Sequence, residues 1–262
     1  MTKHFSAEDA TRYFINAFPK ETMAELLKWS KDTDYHVRRL ASEGTRSILP
    51  WSPKISTSPE VAIPILDNLF SDNNRFVTRS VANHMNDISR KDPALALTTL
   101  GRWQASGNQS PKEMQFIIRQ ALRTLIKSGD KATFEFLNFS TEPAVAVSGL
   151  HIKLDPIRIG GWLEFEFAVA AQENEQLIVD YVLHFPNKFG TGHNKKVFKL
   201  KVVTMSKGQT LVITKRQPMR QMSTRKLYPG KYRLEIQING TRMAEAEFEL
   251  VADTAAAANS TS

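Results

Sequence analysis

VRRLASEGTRSILPW, residues 37–51, and VTRSVANHMND, residues 77–87, repeat each other at a spacing of forty residues. Superposed, Val37 meets Val77, Arg39 meets Arg79 and Ala41 meets Val81. A third copy follows at the same offset in FIIRQALRTLI, where Ile117, Arg119 and Ala121 fall in register. Helical spacing at a period near forty is the pattern of an α-solenoid, in which each helix pair stacks on the next. One arginine recurs as Arg39, Arg79 and Arg119, and stacked repeats would set these as a ladder of positive charge along one face. Such a ladder suits a polyanion. The first two copies also carry an acid among the basic residues, Glu43 and Asp87.

Outward from these copies, residues 1–140 read as a HEAT-like helical repeat domain of about eight helices. Ser6 can cap a helix running to about residue 18, and residues 23–31 form a second. Asp34 opens the first motif helix and Gly44 lies near its end. Ser58-Pro59, Asp92-Pro93 and Ser110-Pro111 each place a capping side chain before a proline at the first helical position. Pro64 admits a kink early in its helix. Residues 74–90 read as one long helix, and Asp130 caps a last short one.

After residue 140 the period becomes two. Leu163, Phe165, Phe167 and Val169 alternate with Glu164, Glu166 and Ala168. Further strands are expected at 145–154, 176–185, 196–205, 209–215, 231–238 and 242–251, the last two joined by the hairpin signal Asn239-Gly240. Seven strands at this spacing predict an immunoglobulin-like β-sandwich over 141–252. YPGKY places Tyr232 after a Pro-Gly turn, as in a tyrosine corner. Residues 253–262 are small and polar and read as a disordered tail. The fold class is therefore a multidomain chain, α then β.

The 262 residues are enough for two domains, and their net charge is +8. There is no cysteine, which excludes disulfides and thiolate metal sites and fits a reducing cytoplasm. No apolar run reaches the length of a signal peptide or a membrane span. Between residues 181 and 234 stand thirteen lysines and arginines and no acid. Lysines guard edge strands against aggregation, but a surface that approaches phosphates must also keep carboxylates away. The loops at 189–194 and 217–224 could reach into a groove.

Glu43 lies four residues beyond Arg39 and three before Arg46, and Asp87 four beyond Asn83. The bland account is that each acid pairs with a neighbouring base on its own helix. His84 reads as a satisfied polar residue rather than a base. Trp51 and Trp103 could stack on a base or sugar, although tryptophans in a solenoid are more often core. No metal-ligand spacing, Gly-rich phosphate loop or nucleophile beside a base is present.

VRRLASEGTRSILPW and FVTRSVANHMNDISRKDP resemble the two signature segments of the AlkC-type DNA alkylation repair glycosylases. KKVFKLKVVTMSKGQ and STRKLYPGKYRLEIQING resemble the immunoglobulin-like domain that many of them carry, so the likeness spans residues 5–251. The resemblance implies hydrolysis of the N-glycosidic bond of cationic alkylated bases such as 3-methyladenine, without a cofactor or metal and without flipping the base. It implies double-stranded DNA as the partner and a monomer in the bacterial cytoplasm. Glu43, Asp87 and Trp51 match family positions, and Glu8 in FSAEDATRYF matches a further glutamate, although Asp9 and Tyr13 depart from the pattern there. The expected catalytic set is Asp87, Glu43 and Glu8. The expected DNA contacts are Arg38, Arg39, Arg46, Trp51, Arg79, Asn83, His84, Arg119, Lys195, Lys196 and Lys199. Family members carry several more helices ahead of the FSAE segment, so a short form or a fragment is expected. A damaged-DNA binder without catalysis, and a protein scaffold, remain the alternatives at this point.

Overall fold

The computed structural model describes residues 2, 7–187, 193–221 and 226–252. Ser6, residues 189–192 and 222–224 of the two loops expected to reach a groove, and the expected tail 253–262 lie outside them. The chain divides into two compact units, 1–128 and 129–262.

The first unit runs α1 (Glu8–Ala17), α2 (Pro19–Trp29), α3 (Tyr35–Gly44), a 3-10 turn (Pro59–Ala62), α4 (Ile63–Leu69), α5 (Arg75–Ser89), α6 (Pro93–Ser106), α7 (Pro111–Ala121) and α8 (Arg123–Ser128). The repeated motif lies on α3, α5 and α7, which pack side by side in that order. The first two begin the same way. Asp32 and Asp72 accept the backbone N–H of residues 34 and 74, and Asp34 and Asn74 then cap the N–H of His36 and Phe76 at 2.8 and 2.9 Å. Asp92 and Ser110 cap α6 and α7 as expected. Two expected helices break. The one after Ser58 starts as a 3-10 turn and becomes α-helical where Pro64 enters. FIIRQALRTLI ends one helix at Leu122 and begins another.

Val77, Ile117, Ala41, Val81 and Ala121 are buried to within 1%. The ladder arginine stands two residues from each flanking apolar position, about 200° round the helix, and so faces away from that core. Trp103 joins the core instead of the surface. It stacks on Phe70 at 4.9 Å and its indole N–H donates to Asp67 at 2.7 Å.

The second unit opens with α9 (Lys131–Phe136), capped by Asp130. Two sheets follow from β1 (Val145–Ile152), β2 (Ile157–Arg158), β3 (Trp162–Ala171), β4 (Glu175–Pro186), β5 (His193–Met205), β6 (Thr210–Pro218), β7 (Gly230–Ile238) and β8 (Thr241–Val251). Their orders are β1-β3-β6 and β2-β8-β7-β4-β5. Leu163, Phe165, Phe167 and Val169 of β3 pack with Leu177, Val179, Tyr181 and Leu183 of β4 and with Tyr232, Leu234 and Ile236 of β7, so the sandwich closes on the alternating face. Asn239 and Gly240 both take positive φ, 48° and 77°, as a two-residue primed turn requires. The Asn239 side chain also accepts from the Ile178 N–H and donates to the Ser140 carbonyl.

Tyr232 is buried and its hydroxyl donates 2.9 Å to the carbonyl of Tyr228, four residues upstream, as in a tyrosine corner. Tyr232→Phe leaves that carbonyl without this donor. Urea unfolding should show a loss of about 1–1.5 kcal/mol. No helix among the described residues is long and apolar enough to cross a membrane.

Candidate active site

Glu8 is the first residue of α1, while Glu43 and Asp87 lie in the last turns of α3 and α5. A carboxylate at a helix C-terminus works against the helix dipole, so the two later acids need support from elsewhere. They take it from one side chain. Arg46 donates through Nε to Asp87 Oδ2 at 2.8 Å and through Nη1 to Glu43 Oε1 at 2.5 Å. Arg39 continues the line, donating to Glu8 Oε1 at 2.6 Å and standing 3.9 Å from Glu43 Oε2. The second oxygen of Glu43 accepts 2.6 Å from the Ser80 hydroxyl. The result is a continuous chain, Glu8–Arg39–Glu43–Arg46–Asp87, with the side chains of all three acids 4–7% exposed. Gly44 makes it possible, because a Cβ there would sit 2.9 Å from Thr11 Cγ2 and push α1, with Glu8, off α3.

Burial raises the Asp87 carboxyl above the ordinary carboxylate range, against the pull of the Arg46 hydrogen bond and charge and of Arg123. Burial pulls Arg46 down, but Asp87 and Glu43 outweigh it and hold the guanidinium above its usual value. A carboxyl shifted up beside a fixed cation, in a small polar cluster, is the pattern of a functional group and not only of a helix-surface ion pair.

The remaining expected residues scatter. Arg79 and Arg119 are exposed and, among the described residues, carry no hydrogen bond or ion pair, so these two rungs of the ladder keep their charge free. Trp51 is 72% exposed on the segment between α3 and the 3-10 turn. Asn83 accepts from Gln120 at 3.0 Å. Lys195, Lys196 and Lys199 are exposed on β5, an edge strand of the five-stranded sheet.

Two expected DNA contacts need correction. Arg38 is held by Asp72 through Nε at 2.5 Å and Nη2 at 3.1 Å, and by the carbonyls of Asp32 and Thr33, so it fastens the start of α3 instead of facing outward. His84 is 2% exposed, with Nδ1 3.1 Å from the Ser42 carbonyl, and has no surface to offer a phosphate. Burial, and then the charge of Arg46, depress it to about 3, so it stays neutral.

Sequence reasoning missed Ser80 and Arg12. Both carried a signal. Ser80 stands forty residues after buried Leu40, a hydroxyl where the first copy of the repeat is apolar. Arg12 lies four residues from Glu8 and three from Ile15, a cation within the buried stripe of α1.

A family model described as "Uncharacterised protein YhaZ, C-terminal Ig-like domain" matches residues 146–252. The protein "Uncharacterized protein YhaZ" of Bacillus subtilis (strain 168) is 32% identical over 252 residues, which are 95% of this chain and 69% of that one. The solved structure of the Pseudomonas fluorescens alkylpurine DNA glycosylase AlkC, bound to DNA containing an abasic site analog, superposes with a TM-score of 0.90 at 35% identity over 96% of this chain and 70% of that chain. With helical repeats and immunoglobulin-like sandwich both matched at that identity, the chain belongs to the AlkC family.

Proposed function

We propose that this protein is a DNA glycosylase that releases cationic alkylated bases, 3-methyladenine among them, from double-stranded DNA, acting as a monomer. The observation that carries the assignment is the buried chain of Glu8, Arg39, Glu43, Arg46 and Asp87, which sets Glu43 and Asp87 side by side on one guanidinium. Likeness to a glycosylase solved on DNA supports it.

The chemistry follows from the substrate's charge. An N-alkylated base is already cationic, so when the C1′–N bond breaks the electron pair returns to the base, which departs neutral and needs no acid. Positive charge then passes to the sugar as an oxocarbenium-like state. Asp87 and Glu43 stabilise that charge, with Arg46 holding the two carboxylates in fixed relation. Water adds to C1′ and gives its proton to one of them. Burial lifts the Asp87 carboxyl above the ordinary carboxylate range, which makes it a stronger base than a free aspartate. Arg79 and Arg119 grip phosphates from the helical unit, and Lys195, Lys196 and Lys199 grip phosphates from the sandwich.

The test is release of free base from methylated DNA, followed by chromatography. Release of 3-methyladenine supports the assignment. Salt-sensitive DNA binding without release would make the chain a binder of damaged DNA.

The two free rungs give a separate expectation. Replacing Arg79 and Arg119 by alanine together should lower the slope of log affinity against log salt by about 2, near 0.9 for each phosphate that is no longer neutralised. An unchanged slope would remove both from the interface.

A further inference from the structure

Residues 46–54 contain no helix or strand, yet one face of α1 holds them at four points. Asp9, Arg12 and Asn16 lie three and four residues apart, on one side of the helix. Asp9 Oδ1 accepts from the Ser52 hydroxyl at 2.7 Å. Arg12 donates through Nε to the Pro53 carbonyl at 2.5 Å and through Nη1 to the Arg46 carbonyl. Asn16 Nδ2 donates to the Lys54 carbonyl at 2.9 Å. Leu49 and Ile55 are buried on either side, while Trp51 between them is 72% exposed.

Arg12 is the unusual member. It is 0% exposed, burial lowers its pKa, and its hydrogen bonds go to backbone carbonyls and not to a carboxylate. A buried guanidinium is expensive unless paired. One committed to the backbone of an irregular segment is a device for fixing that segment's path. The path matters at two points, because Arg46 begins it and Trp51 stands at its exposed turn.

We infer that α1 is a clasp for this segment, with Asp9, Arg12 and Asn16 as positioning residues that hold Trp51 in place before DNA arrives, and that Trp51 is the group that touches the DNA. The inference rests on the DNA assignment above. A large aromatic on a free segment would lose conformational entropy on binding, and clasping removes most of that loss in advance. α1 therefore serves the site twice, through Glu8 and through the clasp.

The test uses Asn16→Ala with Ser52→Ala, which leave buried Arg12 and the carboxylate chain untouched. On a duplex carrying an abasic analogue, the pair should weaken binding about fivefold to tenfold, with kcat for base release and unfolding temperature unchanged. In a Trp51→Ala background the same pair should change binding by less than about twofold, because the clasp acts through Trp51. Equal losses in both backgrounds, or no loss in either, would overturn it. A wild type that binds no DNA would defeat the functional assignment, and the clasp is then read directly. In protein labelled with 5-fluorotryptophan, the Trp51 fluorine resonance should move to its unfolded-chain position in the double variant, and an unmoved resonance would overturn the clasp.

Discussion

Asp87→Asn should reduce base release by about a hundredfold to a thousandfold, the scale on which removing one preorganised electrostatic group acts, and should leave the fold at least as stable as the wild type. The activity loss follows from charge. Asparagine keeps the shape and can still meet Arg46, but it cannot oppose a cationic sugar or take a proton from water. The stability expectation follows from the sign of the pKa shift. The folded Asp87 carboxyl sits above its ordinary value, chiefly through burial. A carboxyl raised on folding is one whose ionised form the fold disfavours. Its penalty is present at neutral pH and disappears as pH falls through the raised value. The amide removes that penalty at every pH, while Arg46 retains Glu43 at 2.5 Å. DNA binding should be unchanged or tighter, since one negative charge near the phosphates is gone. Single-turnover release, duplex affinity and a thermal scan on the same preparation check all three. Release at the wild-type rate would take Asp87 out of the mechanism. Lost activity together with a lower unfolding temperature would mean that its role is to hold Arg46.

How much of the molecule was legible in its residues depends on the range of the interaction. Caps are local, and Asp34, Asn74, Asp92, Ser110 and Asp130 all act within three residues of themselves. The forty-residue register of Arg39, Arg79 and Arg119 is equally visible, because stacked helices repeat whatever the sequence repeats. The site is different in kind. Arg46 meets Asp87 across 41 residues, Arg39 meets Glu8 across 31, and Ser80 meets Glu43 across 37. Proximity along the chain suggested pairing of Glu43 with Arg39 or Arg46, and its close partner is Arg46. Adjacent Arg38 and Arg39 show the limit most plainly. A 100° step round the helix sends one to Asp72, as a fastening of the repeat, and the other into the carboxylate chain. No pattern in the residues themselves tells which goes where. Strand β2, two residues long and parallel to β8, was missed because it is too short to show a period.

His84 should make the helical unit lose stability steeply in acid. Its ring is buried among groups that mostly oppose a proton. Burial depresses it most, the Arg46 and Arg12 guanidiniums add their charge, and only the Ser42 carbonyl works the other way, leaving it at about 3 against 6.5 for a free histidine. A base whose pKa falls on folding contributes stability that is whole above the unfolded value. That stability drains away as pH drops from 6.5 towards about 3, because the unfolded chain takes up a proton that the folded chain refuses. At about 1.4 kcal/mol per pH unit, the interval amounts to on the order of 5 kcal/mol. His84→Gln supplies an amide that can still donate to the Ser42 carbonyl and carries no titration. Urea unfolding followed by the helical circular-dichroism signal should find the variant the weaker protein at pH ~7. The gap should narrow through pH ~6 and ~5, and the order should reverse near pH ~4. Asp87 has the opposite sign, gaining stability on acidification, so the His84 contribution is best read in the Asp87→Asn background, where nothing offsets it. Parallel stability curves for the two proteins in that background would mean that His84 is not held neutral by its surroundings, and the tight packing of α3 against α5 around the carboxylate chain would need another explanation.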